Sequence, residues 1–462
     1  MRLKILIVIG LISSTLLPSC KKYLDVKPKS SLSEDELFSS EVGFRQALTG
    51  VYSQMASRNL YGDLLSMSFV SVLAQNYTTT GSSAPFGQTK LLNYTSGEVI
   101  GYTNSIWNSS YSAIAGLNKI IINSEEKRNV LSAYNYAMIR GEALALRAYL
   151  HFELLRLFGP EFSAGKALKA IPYKKTADNL AIVPSTTAEV TNQALSDLAE
   201  AVALLKGQDP IQFSSPSRQT RMNYFAAKGL EARIRIYMGD KPGAFSAAQT
   251  VVDSGKFPFV TVSQASAAAG FKDRLYLSEQ VFCLRVGDIK NWAEQLYFGT
   301  NANPASKLTR TAAEFATLYE SSSTDIRFVN GIESGMPSKF WQTYSFNTLD
   351  SNRLDQNVPL IRVSEMYYIM AEAAPTVAEG VGYLNAVRQN RALANLPTTV
   401  TATALTTEIR KEYQKEFYAE GQLFYYYKRN KVARMQFMTR DIQLSSYVLP
   451  IPQSELEFNP NY

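Results

Sequence analysis

Residues 136–160 read YAMIRGEALALRAYLHFELLRLFGP, and this stretch decides the fold class. A stripe of apolar residues recurs at helical spacing along it: Ile139, Ala143, Leu146, Leu150, Leu154 and Leu157. Further apolar residues flank the stripe, so the helix is apolar over most of its circumference and needs other helices around it. Gly159 and Pro160 mark its end, because glycine suits a helix C-terminus and proline cannot continue a helix. The pattern predicts a helix packed inside a bundle.

The segments on either side of this stretch also have helical periodicity. In residues 105–123, Trp107, Tyr111, Ile114 and Ile121 fall on one stripe, so we assign Trp107 to the core. Two S/T-x-x-E capping boxes mark further helix starts, one beginning at residue 33 and the other at residue 186.

Residues 223–259 predict a pair of helices joined by a tight turn. The first helix stops at Gly239, and the second restarts with the small residues Ala244, Ala247 and Ala248, which let two helices approach closely. This spacing resembles a tetratricopeptide unit, although no clean 34-residue self-repeat runs along the chain. We therefore expect a mostly α protein with a tetratricopeptide-like helical scaffold.

The chain begins with the layout of an export signal. Arg2 and Lys4 precede an uncharged run at residues 5–17, which is too short for a transmembrane helix of about 20 residues. Residues 17–20, Leu-Pro-Ser-Cys, resemble a bacterial lipobox, in which the cysteine is acylated. We expect residues 1–19 to be a lipoprotein signal peptide, Cys20 to carry the lipid, and residues 20–33 to form a tether.

Composition excludes several classes of function. Loss of the signal lowers the formal charge from +7 to +5, and the chain has no Lys/Arg block of the kind that marks a nucleic-acid interface. Beyond Cys20 the only cysteine is Cys283, which lies in a strand-like stretch and is interpreted as a small buried residue. The single histidine, His151, excludes His-based zinc sites, and we interpret it as a partly buried structural residue. We expect no metal or cofactor.

Helical periodicity is interrupted in the second half of the chain. We expect an N-terminal scaffold at residues 34–262, an irregular and partly β or loop region at 263–354 that holds the ligand, and C-terminal helices at 355–462. In the last block a glutamate recurs every four residues, with lysines three positions after the first two of them. This spacing predicts an exposed, ion-paired helix face rather than a metal site. The residues are Glu408, Lys411, Glu412, Lys415, Glu416 and Glu420.

Several long stretches, in this order, resemble the SusD/RagB family of outer-membrane nutrient-binding lipoproteins. They are ALRAYLHFELLRLFG at 145–159, the helix pair at 229–257, VPLIRVSEMYYIMAEA at 358–373 with the following YLNAVRQNRAL, KEFYAEGQLFYYYKR at 415–429 and VLPIPQSELEFNPN at 448–461. One departure lies in the C-terminal helix, where many members carry an Arg and an Asp and this chain has Leu423 and Tyr426. Because of this departure, the resemblance is a weaker guide to the ligand than to the fold.

The resemblance implies a non-catalytic protein on the cell surface. Members of this family cover a SusC-like TonB-dependent transporter as a lid, and they capture oligosaccharides or, in some cases, peptides for import. Cys20 would then tether the lid to the outer membrane by one flexible end. The expected partners are the transporter, the ligand and the membrane, with no nucleic acid.

Two groups of aromatic residues are candidates for ligand contact, since a sugar needs flat apolar faces with amides or charges nearby. The first group lies in the irregular region and contains Asn291, Trp292, Tyr297, Trp341, Tyr344 and Phe346, with Phe298, Gln342 and Asn347 interleaved. The second lies in and around a Thr/Ser/Gly-rich loop and contains Tyr61, Tyr77, Phe86 and Tyr94. For each residue of the first group, burial in the core of a small subdomain is as good an interpretation as contact with a ligand. Trp292 and Trp341 offer the largest stacking faces, and both have amide neighbours.

Three other functions remain to be weighed. A peptide ligand would use a similar aromatic groove. A surface glycoside hydrolase would need a carboxylate pair such as Glu365 and Glu372, but residues seven apart are about 10.5 Å apart along a helix axis, and catalytic pairs need about 5–9.5 Å. We expect these two residues to pair instead with Arg362 or with a base from another helix. A passive scaffold for another protein would bind no small ligand.

Overall fold

The computed structural model describes most of the chain. The described residues are 33–79, 81–213, 216–268, 271–298, 307–333, 335–341 and 356–462. Cys20, Tyr344 and Phe346 lie outside them, as does the stretch that resembles an export signal, and so those predictions remain predictions.

The N-terminal block consists of helices joined by short connections. In chain order they are α1 (Glu34–Leu37), α2 (Glu41–Met55), α3 (Phe69–Leu73), α4 (Gly87–Lys90), α5 (Gly97–Glu126), α6 (Ala133–Phe158), α7 (Phe162–Gly165), α8 (Thr187–Leu205), α9 (Tyr224–Met238), α10 (Lys241–Val252) and α11 (Val262–Ala265). The capping boxes at Ser33–Glu36 and Thr186–Glu189 both form, as predicted.

The remainder of the chain begins with short elements and ends with longer helices. Its helices are α12 (Ile289–Ala293), α13 (Ala312–Leu318), α14 (Ile326–Val329), α15 (Val363–Ala373), α16 (Val377–Gln389), α17 (Ala402–Glu416), α18 (Leu423–Arg429) and α19 (Gln453–Phe458). A single π-helical turn, Glu294–Phe298, follows α12.

Helix α6 lies at the centre of the scaffold. Every residue from Gly141 to Phe158 is buried, which confirms the prediction from its apolar circumference. Helices α5 and α8 pack along α6, and α2 packs on α5. Burial of this helix on all sides fixes the positions of its neighbours, and Trp107 on α5 is buried as predicted.

The predicted helix pair is α9 and α10. Gly239 ends α9 with a φ of +80°, a left-handed conformation that favours glycine, and the Asp240 side chain accepts a hydrogen bond from the Gly243 amide at 3.0 Å. Ala244, Ala247 and Ala248 are buried at close helix contacts. Helix α15 packs against α10, and α16 packs against α15, so the helical stack continues into the C-terminal block.

Three small antiparallel sheets accompany the helices. Strand β1 (Lys169–Ile171) pairs with β2 (Ser185–Thr186), β3 (Gln280–Arg285) with β6 (Asn357–Arg362), and β4 (Ile332–Glu333) with β5 (Met336–Pro337). Cys283 lies opposite Pro359 and is fully buried, so both its strand assignment and its burial are confirmed. The β3–β6 pair joins the irregular region to the C-terminal helices.

The predicted exposed face of α17 is wrong for three of its four glutamates. Glu412 and Glu416 are buried, as is Glu420 just beyond the helix, while Glu408 stays near the surface and pairs with Lys411 at 2.8 Å. The irregular region and β6 cover this side of α17, and helical spacing alone gives no sign of that covering layer.

Arginines from three distant segments neutralise the buried carboxylates. Arg327 Nη1 donates to Glu412 Oε2 at 2.7 Å and to Glu416 Oε2 at 3.0 Å. Arg362 Nη1 and Arg391 Nη2 donate to Glu416 Oε1 at 2.5 and 2.6 Å. The four-residue spacing of the glutamates therefore serves an internal ion-pair network.

Candidate functional site

The irregular region packs directly on the segment between α2 and α5. The Tyr77 and Tyr297 hydroxyls lie 2.7 Å apart, and each lies within 3.0 Å of the Met67 carbonyl oxygen. Both side chains are fully buried, and burial raises the pKa of both hydroxyls well above 10. These two candidate ligand residues are therefore placed in the core, where they join the two segments.

Trp292 lies at the surface end of this junction. It is half-buried on α12, and the guanidinium carbon of Arg58 lies 5.6 Å from the centre of its ring. The ring approaches the Gly62 backbone so closely that a β-carbon at Gly62 would come within 2.5 Å of Trp292 Cζ3. Arg58 is held in turn by Asp63, with Nη2 donating to Oδ2 at 2.8 Å. The sequence around residue 60 therefore fixes the orientation of Trp292.

Phe86 lies in the same neighbourhood. Its ring stacks on Tyr102 of α5 with a centroid distance of 5.3 Å and an interplanar angle of 17°. Burial, reinforced by the Glu98 and Asp63 charges and opposed by the Arg58 charge, raises the pKa of Tyr102 to about 12. The hydrogen bond from Asn59 to Ser109 holds the turn at residues 58–59 against α5, the helix that carries Tyr102. The two aromatic groups that the sequence offers as alternatives meet in the core, where Tyr77 contacts Tyr297.

Phe86 is 7% exposed, so this candidate ligand residue belongs to the core, where it supports Tyr102 from inside. We call the surface beside it the aromatic corner and define it by Arg58, Tyr102 and Trp292. Exposed polar side chains surround it, namely Asn59, Asn291 and Gln295, together with the partly buried Ser109. Asn59 Nδ2 donates to Ser109 Oγ at 3.1 Å, and Arg58 Nη1 donates to Gln295 Oε1 at 3.3 Å. Aromatic faces beside amides and a guanidinium suit a neutral, hydroxyl-rich ligand better than a charged one.

The carboxylate beneath Arg58, Asp63, has a structural role. Asp63 is 4% exposed, and it accepts hydrogen bonds from Arg58 and from the Ser68 hydroxyl. Burial raises its pKa, and hydrogen bonds from Ser68 and Arg58 oppose that shift. Its position beneath Arg58 suits it to orient the guanidinium.

The other candidate aromatics lie in different places. Tyr61 is 1% exposed and packs against Tyr149, and the Tyr94 hydroxyl donates to the Ser446 carbonyl, so both have partners inside the protein. Trp341 is half-buried just beyond β5, and β5 lies against the π turn that contains Tyr297.

Sequence reasoning missed Arg58 and Tyr102. Arg58 lies in a polar turn with nothing to distinguish it from a solvated surface arginine. Tyr102 lies on the side of α5 opposite the buried Trp107 stripe, where a tyrosine is usually unremarkable. Only the packing of α12 against the 56–63 turn reveals their role.

The carboxylates considered for glycoside hydrolysis are each ion-paired with a different arginine. Glu365 Oε2 accepts from Arg233 Nη2 at 2.6 Å, and Glu372 Oε2 accepts from Arg429 Nη2 at 2.8 Å. This confirms the expected pairing with bases from other helices. Each carboxylate therefore serves a structural ion pair between helices.

His151 is a structural residue, as expected, although it is fully rather than partly buried. Its Nδ1 lies 2.9 Å from the Arg147 carbonyl oxygen, and its Nε2 accepts from the Lys174 amide at 3.0 Å. Burial lowers its pKa to about 3, so the ring is neutral at physiological pH. Among the described residues, no group of three or more His, Cys, Asp or Glu side chains could hold a metal ion.

Lys428 is the most unusual buried base near the scaffold. It is fully buried on α18, and its Nζ donates to the carbonyl oxygens of Arg156 and Gly159 at the C-terminal end of α6. Burial lowers its pKa to about 7; the Arg156 charge lowers it further, and the Glu161 charge opposes the shift. The amine caps the last turn of the central helix.

Lys428 should make the fold more stable as pH rises from 7 towards 9. In this window the unfolded chain binds a proton on Lys428, with a pKa near 10.5, that the folded chain does not, so the free energy of unfolding increases with pH. Urea unfolding at pH 7, 8 and 9 should show this slope in the native protein and a smaller slope in Lys428→Met. Lys90, with a pKa lowered to about 8 mainly by burial, contributes to both proteins alike. Equal slopes would contradict the assignment.

Comparison with known proteins supports both the fold and the family. Residues 22–237 match a SusD-like family model described as starch-binding and associating with the outer membrane, and residues 286–443 match the SusD family model. A SusD-like protein of Formosa agariphila is 26% identical over 260 residues, which cover 54% of this chain and 46% of that protein. The chain thus spans about half the length of this curated relative.

Solved structures share the architecture over nearly the whole chain. A SusD superfamily protein of Bacteroides thetaiotaomicron has a TM-score of 0.70 at 23% identity and covers 91% of this chain and 98% of its own. A SusD-like carbohydrate binding protein of Bacteroides vulgatus has a TM-score of 0.72 at 17% identity and covers 92% and 97%. The predicted mostly α, tetratricopeptide-like fold is confirmed. In the described part of the chain, every helix is too short or too polar to cross a membrane.

Proposed function

The chain belongs to the SusD family, and from this premise we propose that it captures oligosaccharides at the cell surface and delivers them to a SusC-like TonB-dependent transporter. Binding occurs without catalysis. The observation that supports this most directly is the aromatic corner, where the half-buried Trp292 lies beside Arg58 and the exposed amides of Asn291 and Gln295. Family membership supports the outer-membrane setting.

Trp292 would supply the stacking face of the site. Its ring is held between the Gly62 backbone and the Arg58 guanidinium, so it is oriented before a ligand arrives. Such preorganisation spares the entropy of ordering a side chain on binding. Asn291 and Gln295, both exposed beside the ring, would bond to sugar hydroxyls. Trp341 remains a second proposed contact.

Replacing Trp292 with Ala should weaken oligosaccharide binding by about tenfold to a hundredfold, the range expected for loss of a central aromatic anchor. Calorimetric titration of maltoheptaose, cellohexaose and xylohexaose into the native and variant proteins measures the change. Phe213→Ala is the control, because Phe213 is 67% exposed on a turn that belongs to neither aromatic group. Unchanged affinity in Trp292→Ala would remove the aromatic corner from the proposal.

A peptide ligand is the second candidate, because Arg58 and the exposed amides of Asn59 and Gln295 suit backbone carbonyls as well as hydroxyls. The same titration with a mixed peptide pool separates the two. Binding of peptides alone would make the chain a peptide receptor of the same import system, and the oligosaccharide proposal would be wrong.

Anchoring through Cys20 and docking on a transporter belong to the same proposal. Mass spectrometry of the mature N-terminus should find acyl chains on Cys20, and an unmodified Cys20 would contradict the anchor. Purification from native membranes should recover a TonB-dependent barrel with the chain. Recovery of the chain alone would count against the delivery step.

A further inference from the structure

A second cleft lies on the opposite side of α5 from the aromatic corner. Its volume is about 460 Å³, within the range of pockets that enclose small molecules. Tyr102 in the corner and Tyr111 in the cleft are nine residues apart on one helix, which is about two and a half turns, so they point to opposite sides. The cleft is bounded by α5, by the segment between β1 and β2, and by α19.

Hydrogen bonds hold the three walls of this cleft together. The Tyr111 hydroxyl donates to the Pro172 carbonyl oxygen at 2.8 Å, and Lys174 Nζ donates to the Leu180 carbonyl oxygen at 2.9 Å. Asn459 Nδ2 donates to the Ile182 carbonyl oxygen at 2.9 Å and so links the C-terminal segment to the loop. The cleft is therefore formed before any ligand arrives.

The lining combines aromatic faces with unpaired polar groups. Trp107 lies at the floor and is 3% exposed, whereas Phe458 is 81% exposed, an unusual degree of exposure for a phenylalanine. In the part of the chain that the structure describes, the side chains of Asn108, Ser112 and Asn179 make no hydrogen bond, although all three are exposed at the cleft. These groups are available to a ligand with hydroxyls.

The charges in the cleft have partners within the protein. Lys174 Nζ is shared between Asp178 and two loop carbonyls, and Glu455 Oε1 accepts from Asn459 Nδ2 at 2.8 Å. Hydrogen bonding to the Leu180 amide holds the pKa of Asp178 below its usual value, so this carboxylate already has partners. Lys174 and Asp178 pair with each other, and the lining groups that have no partner among the described residues are neutral amides and a hydroxyl, which suit a neutral ligand.

We propose that this cleft binds a short neutral saccharide, as a second site separate from the aromatic corner. The proposal rests on the proposed function for the class of ligand, but it uses different residues. Phe458 would cover one apolar face of a sugar ring, and Asn108 and Asn179 would bond to its hydroxyls. With two sites, the chain would hold a glycan at two points on opposite sides of α5, and its avidity would exceed that of either site.

Tryptophan fluorescence can isolate this cleft from the corner. The chain contains three tryptophans, so in the double variant Trp292→Phe/Trp341→Phe the remaining one, Trp107, lies in the cleft. We expect a saturable change in Trp107 emission when glucose, galactose, maltose or cellobiose is titrated to about 10 mM, ten times a millimolar dissociation constant. Adding Phe458→Ser should weaken this response about tenfold, and adding the matched Phe213→Ser should leave it unchanged.

The outcomes separate this proposal from the proposed function. If the native protein binds the longer oligosaccharides but Trp107 emission never changes, the second site is wrong and the corner stands. If Trp107 emission changes but the longer oligosaccharides do not bind the native protein, the cleft is supported as a saccharide site and the proposed role of the aromatic corner is wrong. A Trp107 response that Phe458→Ser leaves intact would also overturn the cleft assignment. If no sugar moves Trp107 emission and Phe458→Ser instead abolishes recovery of a membrane partner, the cleft is a protein-docking surface.

Discussion

Glu416→Gln should lower the free energy of unfolding by about 3–5 kcal/mol, the cost of breaking a buried ion pair from one side. Glu416 is 1% exposed and accepts hydrogen bonds from Arg327, Arg362 and Arg391. Burial opposes its ionisation, but the Arg391 and Arg362 charges outweigh burial and hold the pKa of Glu416 well below its usual range. The amide keeps the shape and removes the charge, so three arginines lose their shared anion.

Glu408→Gln provides the matched control on the same helix. Glu408 lies two turns earlier, near the surface, and its partner Lys411 has a side chain that is 36% exposed. Loss of such a pair should change the free energy of unfolding by less than about 1 kcal/mol. Urea unfolding of both variants at pH 7 measures the difference. Equal losses would show that the buried network contributes no more than a surface pair.

Gly421→Ala should lower the free energy of unfolding by about 3 kcal/mol, since it combines backbone strain with a steric clash. Gly421 joins α17 to α18 with a φ of +71°, a conformation that L-residues rarely adopt. A β-carbon there would lie 2.1 Å from the Leu65 carbonyl oxygen, and this neighbour is backbone. The segment containing Leu65 would have to move, and this segment also carries Asp63 of the aromatic corner.

Gly50→Ala should have the opposite effect. Gly50 lies on an exposed face of α2, and no atom is within 4 Å of the position its β-carbon would take. Alanine at such a site should stabilise the helix by about 0.5–1 kcal/mol. Thermal unfolding of the two variants should therefore shift in opposite directions. A Gly421→Ala protein as stable as the native one would mean that the α17–α18 connection can relax away from Leu65.

Local sequence chemistry accounts for the parts of the fold that were predicted. The burial of α6 follows from its apolar circumference, and the start of α8 follows from the Thr186–Glu189 capping box. Gly239 marks the turn between α9 and α10 because few other residues adopt its conformation. Each of these features depends on residues close together in the chain, so the pattern is visible without knowledge of the fold.

The predictions that proved wrong share one cause, which is packing between segments that are distant in the sequence. Glu416 has the spacing of a surface glutamate, and only the arrival of Arg327, Arg362 and Arg391 makes it internal. Tyr77 meets Tyr297 across 220 residues, so nothing near either one indicates that it is buried.

The surface around Trp292 also depends on packing between distant segments. Trp292 was selected from its residue type and its amide neighbours, and the structure places it half-buried beside Arg58. Arg58 lies more than 200 residues earlier, and no local pattern connects the two. The residue types that suit a ligand are visible in a sequence, but the surface they form together is not.

The hydrogen bonds from Lys428 to the end of α6 can form only late in the synthesis of the chain. The Arg156 carbonyl group, which accepts a hydrogen bond from Lys428, lies 272 residues earlier in the chain. At about 5–20 residues per second, the ribosome finishes α6 roughly 15–50 s before it supplies the residue that completes the last turn. Throughout that interval the last turn of α6 lacks its native Lys428 contacts. The cap on the last turn of α6 therefore forms only when synthesis is nearly over.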